Sequence, residues 1–136
     1  MKNKRHASYK KEKMREIDVI YNKSGTPELR LLENGRLVDF DGNSIGFLDG
    51  EDIYDYNGVH RGWYIEGVFR DHNGDCIGFG EKIGNTPHPF LPFKKFKPFP
   101  AFVEFEPFRP FKEFPPIKAI FSFSWSKENP ISIFNI

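Results

Sequence analysis

The sequence predicts an all-β protein of four short β-hairpins around a pseudo-fourfold axis, followed by an extended tail rich in proline and phenylalanine. Two observations support this prediction. Between Asp39 and Phe79, aspartate, glycine and aromatic residues recur every 16 residues; all 12 glycines lie at or before Gly84, and ten of the 11 prolines follow it. Because repeats this short cannot each bury an apolar face alone, we expect them to share one core by closing around an axis.

Residues 1–16 are predicted to be a basic arm outside the hairpin domain. Met1–Arg15 carries seven Lys or Arg and one Glu, without an apolar stripe that a helix could bury. We expect this segment to be poorly ordered or a short helix. It also lacks the apolar stretch of a signal peptide, and the chain has no 18-residue apolar span, so the sequence predicts neither export nor a transmembrane segment.

Residues 17–84 are predicted to form the four hairpins. Asn-Gly or Asp-Gly pairs end at Gly42, Gly58 and Gly74, which indicates tight type I′ turns, because such turns require positive φ. Ile20–Gly25 is similar to Ile53–Gly58 and provides a degenerate fourth copy. Another set of glycines is expected to reverse the chain between repeats: Gly35, Gly50 and Gly67.

An aromatic residue follows a second glycine in three of the repeats. These second glycines indicate close backbone approach or space for the ring that follows. The three aromatic residues are predicted to occupy equivalent buried places and to form one shared core: Phe47, Trp63 and Phe79.

Residues 85–136 are predicted to form a tail that resembles polyproline II. From Pro89 the chain runs in triplets with an apolar central residue; a period of three excludes a strand, and the prolines exclude a helix. Thirty-six residues in polyproline II would extend about 110 Å, whereas a domain of the size of the hairpin region is about 25 to 30 Å across. The apolar stripe must therefore fold back in bent segments or pack against other chains. Its candidate interaction residues are Phe90, Phe93, Phe96, Phe99, Phe102, Phe105, Phe108, Phe111 and Phe114, and the stripe continues through Ile117, Ile120 and Phe123.

Composition and charge favour a single folded domain with segregated charge. A hydrophobic content of 38% with 17% aromatic residues suffices for a core, and the lone Cys76 favours a reducing, cytoplasmic compartment. The net charge of +1 divides into +6 for residues 1–15, −8 for residues 16–84 and +3 for residues 85–136. These segments are expected to attract one another within or between chains. Nucleic-acid binding is not favoured, because the acidic domain would repel phosphates.

Three groups of residues could carry chemistry. Asp39, Asp55 and Asp71 share a repeat position and could form a carboxylate ring for a hard cation, but aspartates before such turns commonly accept backbone N–H groups, which is the favoured interpretation. Another group could supply zinc ligands but lacks the paired spacing of a zinc site: His60, His72 and Cys76. An exposed turn histidine and a buried free thiol are favoured there, and any role of these residues stays open.

The third group is the proline-rich tail itself. Pro89–Lys94 and Pro107–Lys112 both fit a Pro-x-x-Pro-x-basic pattern that aromatic grooves recognise, although repeated triplets generate this pattern by chance. No catalytic motif occurs in the sequence. The sequence therefore predicts no enzyme, no cofactor and no metal site.

Several runs of residues resemble the bacterial four-fold beta-flower proteins. These runs are Asp55–Trp63, Arg70–Phe79, Pro115–Lys118 and Phe121–Ser126. The resemblance covers about Ile17–Ser126 and implies four hairpins around a pseudo-fourfold axis, without implying an activity. The chain departs from the family pattern in its phenylalanine-rich triplets and its weak first repeat. The short Asp-x-x-Gly spacing also resembles the tyrosine-aspartate repeats of surface and toxin shells.

These features predict a non-catalytic structural or protein-interaction module that self-assembles through its aromatic tail into a homo-oligomer. A protein partner is compatible with the same surface. The alternative is a binding protein whose basic arm and tail engage an anionic partner, such as nucleic acid or a membrane surface. Salt distinguishes the two, because phosphate binding weakens steeply as salt rises whereas phenylalanine packing persists.

Overall fold

The structure, a computed structural model, describes residues 14–135. The first 13 residues of the predicted arm lie outside this range. Within the described residues the chain forms eight β-strands and one short 3₁₀-helix. The strands are β1 (Glu16–Tyr21), β2 (Pro27–Leu32), β3 (Arg36–Val38), β4 (Ser44–Asp49), β5 (Asp52–Tyr54), β6 (His60–Ile65), β7 (Val68–Arg70) and β8 (Cys76–Phe79), and the 3₁₀-helix is Ser132–Asn135.

The eight strands close into one antiparallel barrel. Each strand pairs with the next along the chain, and β8 pairs back with β1 through Phe79 and Tyr21. The hairpins β1–β2, β3–β4, β5–β6 and β7–β8 correspond to the four repeats, and the degenerate first copy folds like the others. Among residues 14–135, every strand therefore has a paired neighbour on both sides. The prediction of an all-β fold built from four hairpins is confirmed.

The hairpin turns differ from the predicted type I′ geometry. In the third hairpin the Gly58 N–H donates to the Asp55 carbonyl at 3.1 Å, and the Asp55 N–H donates to the Val59 carbonyl at 3.0 Å. Only the glycine has positive φ, at 82°, whereas a type I′ turn also needs it at Asn57. The turn is therefore type I followed by a glycine bulge. The same pair of hydrogen bonds occurs in all four hairpins.

The core fills the inside of the barrel with side chains from equivalent repeat positions. One such position supplies Ile20, Leu37, Ile53 and Phe69, each at most 1% exposed. Because side chains alternate between the faces of a strand, the neighbouring residues point to the outside of the barrel. That outer face is also largely buried, and the tail covers it.

The tail winds around the barrel in register with the hairpins. Backbone N–H groups of the tail donate at 2.8 to 3.0 Å to the carbonyl of each turn glycine. The four donors are nine residues apart, so three triplets span each hairpin. The pairs are Lys95 with Gly25, Glu104 with Gly42, Glu113 with Gly58, and Ser122 with Gly74.

The two ends of the tail meet and the chain then enters the barrel. Leu91, near the start of the tail, and Trp125, near its end, pack on the same cluster of Val19, Tyr21 and Phe79. After a parallel bridge between Trp125 and Cys76, the chain turns inward, and Ile133 joins the barrel core. None of the helical segments in the described part of the chain has the length and apolarity needed to cross a membrane.

Candidate functional site

The most unusual surface of the molecule is a belt of exposed apolar side chains around the barrel. The central residue of every tail triplet points away from the barrel, with an exposed fraction between 72% and 102%. We call these twelve residues the apolar belt: Phe90, Phe93, Phe96, Phe99, Phe102, Phe105, Phe108, Phe111, Phe114, Ile117, Ile120 and Phe123. All nine phenylalanines predicted as interaction residues belong to it.

The belt has a nine-residue repeat that matches the hairpins. The carbonyl groups of four belt residues lie directly over the turn glycines, where an added Cβ would collide with them. Phe93 lies over Gly25 and Phe111 over Gly58. The two remaining pairs are Phe102 over Gly42 and Ile120 over Gly74. Every hairpin therefore presents three belt residues in the same relation to its turn.

Polar side chains from the outer face of the barrel fix the tail backbone. The Tyr54 hydroxyl donates to the Glu113 carbonyl at 3.0 Å. At equivalent points of the circuit, Arg36 donates to the Glu104 carbonyl at 2.7 Å and Arg70 to the Ser122 carbonyl at 3.0 Å. Arg70 is fully buried and also donates to the carbonyls of Gly74 and Pro87. Such bonds hold the tail at a fixed height on the barrel, which fixes the direction of the belt side chains.

Charge holds the tail to the barrel as well. The Lys112 ammonium lies 2.9 Å from Asp49, and that of Lys118 lies 2.6 Å from Glu51. Burial raises the pKa of the Glu81 carboxyl, but hydrogen bonds from Lys97, at 3.1 Å, and from Tyr21, together with the charges of Lys97 and Lys94, outweigh it, and the pKa is lowered. These partly exposed pairs are individually weak, but they turn the tail lysines toward the acidic barrel.

The three repeat aromatics lie on the outer face of the barrel, beneath the tail. Phe47, Trp63 and Phe79 occupy equivalent strand positions, and each is 1% exposed. They do not form the single shared core that was expected, because outward-facing side chains of a closed barrel point away from one another. Phe47 stacks on Tyr54 under the Arg109 guanidinium, Trp63 contacts His60 and His72, and Phe79 contacts Tyr21 and Trp125.

The glycines before these aromatics permit close packing of neighbouring strands. A Cβ at Gly46, Gly62 or Gly78 would collide with a backbone carbonyl of the adjacent strand. At Gly46 it would also meet the ring of Phe134 from the C-terminal segment. Close backbone approach, one of the two interpretations offered above, therefore accounts for these glycines.

His60 and His72 form a short hydrogen-bonded chain. His60 is 2% exposed; its Nε2 donates to Asp52 at 2.8 Å, and its Nδ1 lies 2.8 Å from Nε2 of His72. His72 is exposed, but partial burial and then the neighbouring His60 lower its pKa. The rings stack with centroids 5.1 Å apart. This chain joins the third and fourth hairpins.

Cys76 is buried and unpaired, as the sequence predicted. Burial raises the pKa of its thiol to about 12, so the reactive thiolate is scarce at neutral pH. Among residues 14–135, no group of three or more His, Cys, Asp or Glu side chains is placed to hold a metal ion.

The repeat aspartates bind their own turns. Asp55 Oδ1 accepts the N–H groups of Asn57 and Val59 at 2.8 and 3.0 Å. Asp39 and Asp71 make the same pairs of bonds, and Asn22 does so in the first hairpin. This is the favoured interpretation from the sequence, and the carboxylates are not gathered into a ring.

The basic residues of the two Pro-x-x-Pro-x-basic patterns, Lys94 and Lys112, contact the barrel of their own chain. Lys94 lies over the Tyr21 ring at 5.5 Å and pairs with Glu81, and Lys112 pairs with Asp49. The nine-residue docking period was not deduced from the sequence, although prolines recur at that interval: Pro89, Pro98, Pro107 and Pro116.

Comparison with known proteins gives one finding about family. A family model described as 4-fold beta flower protein matches residues 18–134, which include the barrel, the tail and most of the C-terminal segment. No curated protein and no solved structure was found to match the chain.

Proposed function

The chain belongs to the 4-fold beta flower family, and for a member with this surface we propose a non-catalytic structural or protein-interaction role in which copies self-assemble through the apolar belt. One observation supports this proposal above the others: twelve apolar side chains along the tail are each between 72% and 102% exposed. At about 150–250 Å² each, they present on the order of 2,000 Å² to water. Soluble monomers rarely expose more than a few hundred Å² of contiguous apolar surface.

The proposal includes a polyproline II conformation for the tail. Three residues per turn would keep every central side chain on one side, in agreement with the exposure of all twelve. Nine such residues would extend about 28 Å and would complete three turns of the polyproline II helix, so the same side of the tail would face each hairpin.

The proposal assigns no catalytic residue. Cys76, the strongest nucleophile type present, is buried with a raised pKa, and His60 is hydrogen-bonded on both ring nitrogens. We place the protein in a reducing compartment such as the cytoplasm, because its single cysteine is free. The anionic-partner alternative receives less support, since Lys94, Lys97, Lys112 and Lys118 pair with carboxylates of the barrel.

Sedimentation velocity over a wide range of protein concentration tests the proposal. We expect species larger than a monomer at low and at high salt, because apolar contacts persist when charges are screened. A full-length protein that stays monomeric and soluble at high concentration would refute self-assembly. Assembly that dissolves at high salt would favour charge as its cause.

Two variants test whether the phenylalanine rings or the lysine charges drive self-assembly. The triple change Phe99→Ser, Phe102→Ser and Phe105→Ser removes adjacent belt residues that are 78% to 101% exposed, so the fold should survive while assembly weakens. The control changes three exposed lysines to serine: Lys23, Lys95 and Lys127. It removes three charges and no ring, and should leave assembly intact. The opposite pattern would identify charge as the driving force.

A further inference from the structure

We infer that the apolar belt is divided into four equivalent contact faces, through which one copy binds up to four further copies side by side around its pseudo-fourfold axis. This inference rests on the proposed self-assembly and specifies its valence. It follows from the nine-residue register between tail and hairpins, because each hairpin presents three belt residues in the same relation to its turn. The faces are face 1 (Phe93, Phe96, Phe99), face 2 (Phe102, Phe105, Phe108), face 3 (Phe111, Phe114, Ile117) and face 4 (Ile120, Phe123, Phe90).

The belt is a complete circuit, which is why face 4 has three members. Leu91 and Trp125 pack on the same cluster, so the start of the tail lies beside its end. Phe90 therefore takes the third place in face 4, and it is 97% exposed like its counterparts Phe99 and Ile117, which are 101% and 96% exposed.

A second copy is the occupant that the area and the charge favour. Three side chains at about 150–250 Å² each allow a pair of faces to bury roughly 900–1,500 Å², which is the range of weak to standard protein interfaces. No belt position carries a charge, and four of the neighbouring lysines pair with carboxylates of the barrel of their own chain: Lys94, Lys97, Lys112 and Lys118. Identical faces can therefore meet in self-complementary contacts without strong repulsion.

One such contact is weak, but several per copy strengthen the assembly. Each additional contact made within an assembly benefits from high effective concentration. Four faces around one axis permit branching, so the assembly stays open and grows with concentration. A single closed dimer would leave three quarters of the belt in water.

A bilayer is the less favoured occupant. The belt is one side chain thick, whereas the hydrocarbon core of a membrane is about 30 Å thick. Exposed polar turn residues lie next to it, including Asp41, Asn57 and Asn73. Sinking the belt into lipid would also bury these polar groups at considerable cost.

Variants that keep selected faces test the valence. Serine at all nine belt positions outside face 2 leaves one face, and mass photometry should then find nothing larger than a dimer. Two further variants carry six serines each. Keeping opposite faces 1 and 3 should give unbranched chains in electron micrographs, whereas keeping adjacent faces 1 and 2 should give small closed rings. Near-ultraviolet circular dichroism checks that each variant retains the native environment of Trp63.

The possible results distinguish a failure of the four-face arrangement from a failure of self-assembly through the apolar belt. A wild type that stops at a dimer, or a variant with only face 2 that forms larger assemblies, overturns the four-face arrangement while leaving self-assembly in place. A monomeric wild type overturns both. If the wild type stays monomeric but binds vesicles of phosphatidylcholine through the belt phenylalanines, the occupant is lipid and the inference is wrong.

Discussion

Among single residues, Trp63 should matter most for stability because its large ring is fully buried on the outer face of the barrel, against histidines of the third and fourth hairpins. It is 1% exposed and contacts the edges of both His60 and His72. Trp63→Ala should lower the free energy of unfolding by about 3–5 kcal/mol. Urea titration followed by circular dichroism measures this loss. Phe96→Ala is the matched control, since Phe96 is 100% exposed and should change stability by less than about 0.5 kcal/mol. Equal losses at the two positions would contradict the described packing.

The exposed member of the histidine chain should make stability depend on pH. Burial, and then His60, lower the pKa of His72, while Asp71 and Glu113 raise it and Arg61 lowers it further. The unfolded state therefore binds more protons than the folded state below the ordinary histidine pKa of about 6.5. The contribution of His72 to the free energy of unfolding should therefore be fully present above that pH, and it should decrease as the pH falls toward the lowered pKa of His72 in the folded state. His72→Gln should flatten this part of the curve relative to wild type, whereas His88→Gln should not; parallel curves for all three proteins would exclude the effect.

Among elements, a hairpin turn that the tail covers and a turn between repeats that the tail leaves open should respond differently to alanine. Gly58 and Gly50 both have positive φ, at 82° and 65°. A Cβ at Gly58 would collide with the Phe111 carbonyl, whereas one at Gly50 meets nothing within 4 Å. Gly50→Ala should therefore cost about 1–2 kcal/mol of backbone strain, and Gly58→Ala should cost more. Hydrogen exchange should also show faster exchange of the Glu113 amide only in Gly58→Ala. Unchanged protection of that amide in both variants would show that the tail does not depend on this turn.

The hairpins could be predicted from the sequence, whereas the turn type and the docking of the tail could not. The 16-residue period was sufficient to predict four hairpins, because glycine at fixed intervals leaves few alternatives for the backbone. It could not distinguish a type I′ turn from a type I turn with a glycine bulge, since Asn57-Gly58 suits both; the backbone decides between them, because only Gly58 of the pair has positive φ. The triplets predicted that the central side chains form one stripe along the tail, but they did not show which way the stripe faces. The period with which the tail docks on the hairpins depends on the distance between turns, which only the closed barrel determines. Pro89 and Pro98 recur at that interval, but without the distance between turns the recurrence could not be assigned to docking on the hairpins.

At the scale of the whole molecule, the tail acts as a second layer of the fold. Beneath it lie aromatic side chains that the barrel alone would expose, and its carbonyls accept hydrogen bonds from buried Arg70 and Arg36. Opposite charges of barrel and tail bring the two layers together through pairs such as Lys118 with Glu51. One layer therefore serves two purposes, since the backbone that covers the barrel also displays the belt.

This arrangement predicts that the barrel does not remain native without its tail. Deleting residues 85–136 would uncover Phe47, Trp63 and Phe79, each 1% exposed in the full chain. It would also remove Ile133 from the core and deprive the Arg36 and Arg70 guanidinium groups of the tail carbonyls that accept their hydrogen bonds. We expect the truncated protein to precipitate or to lose its cooperative urea transition, because a barrel of this size has a small margin of stability. The variant with only face 2 is the control, since it keeps the tail backbone and should retain the transition. A truncated protein that is soluble, monomeric and cooperative would show instead that the hairpins form an independent domain and that the tail is an appendage used for assembly alone.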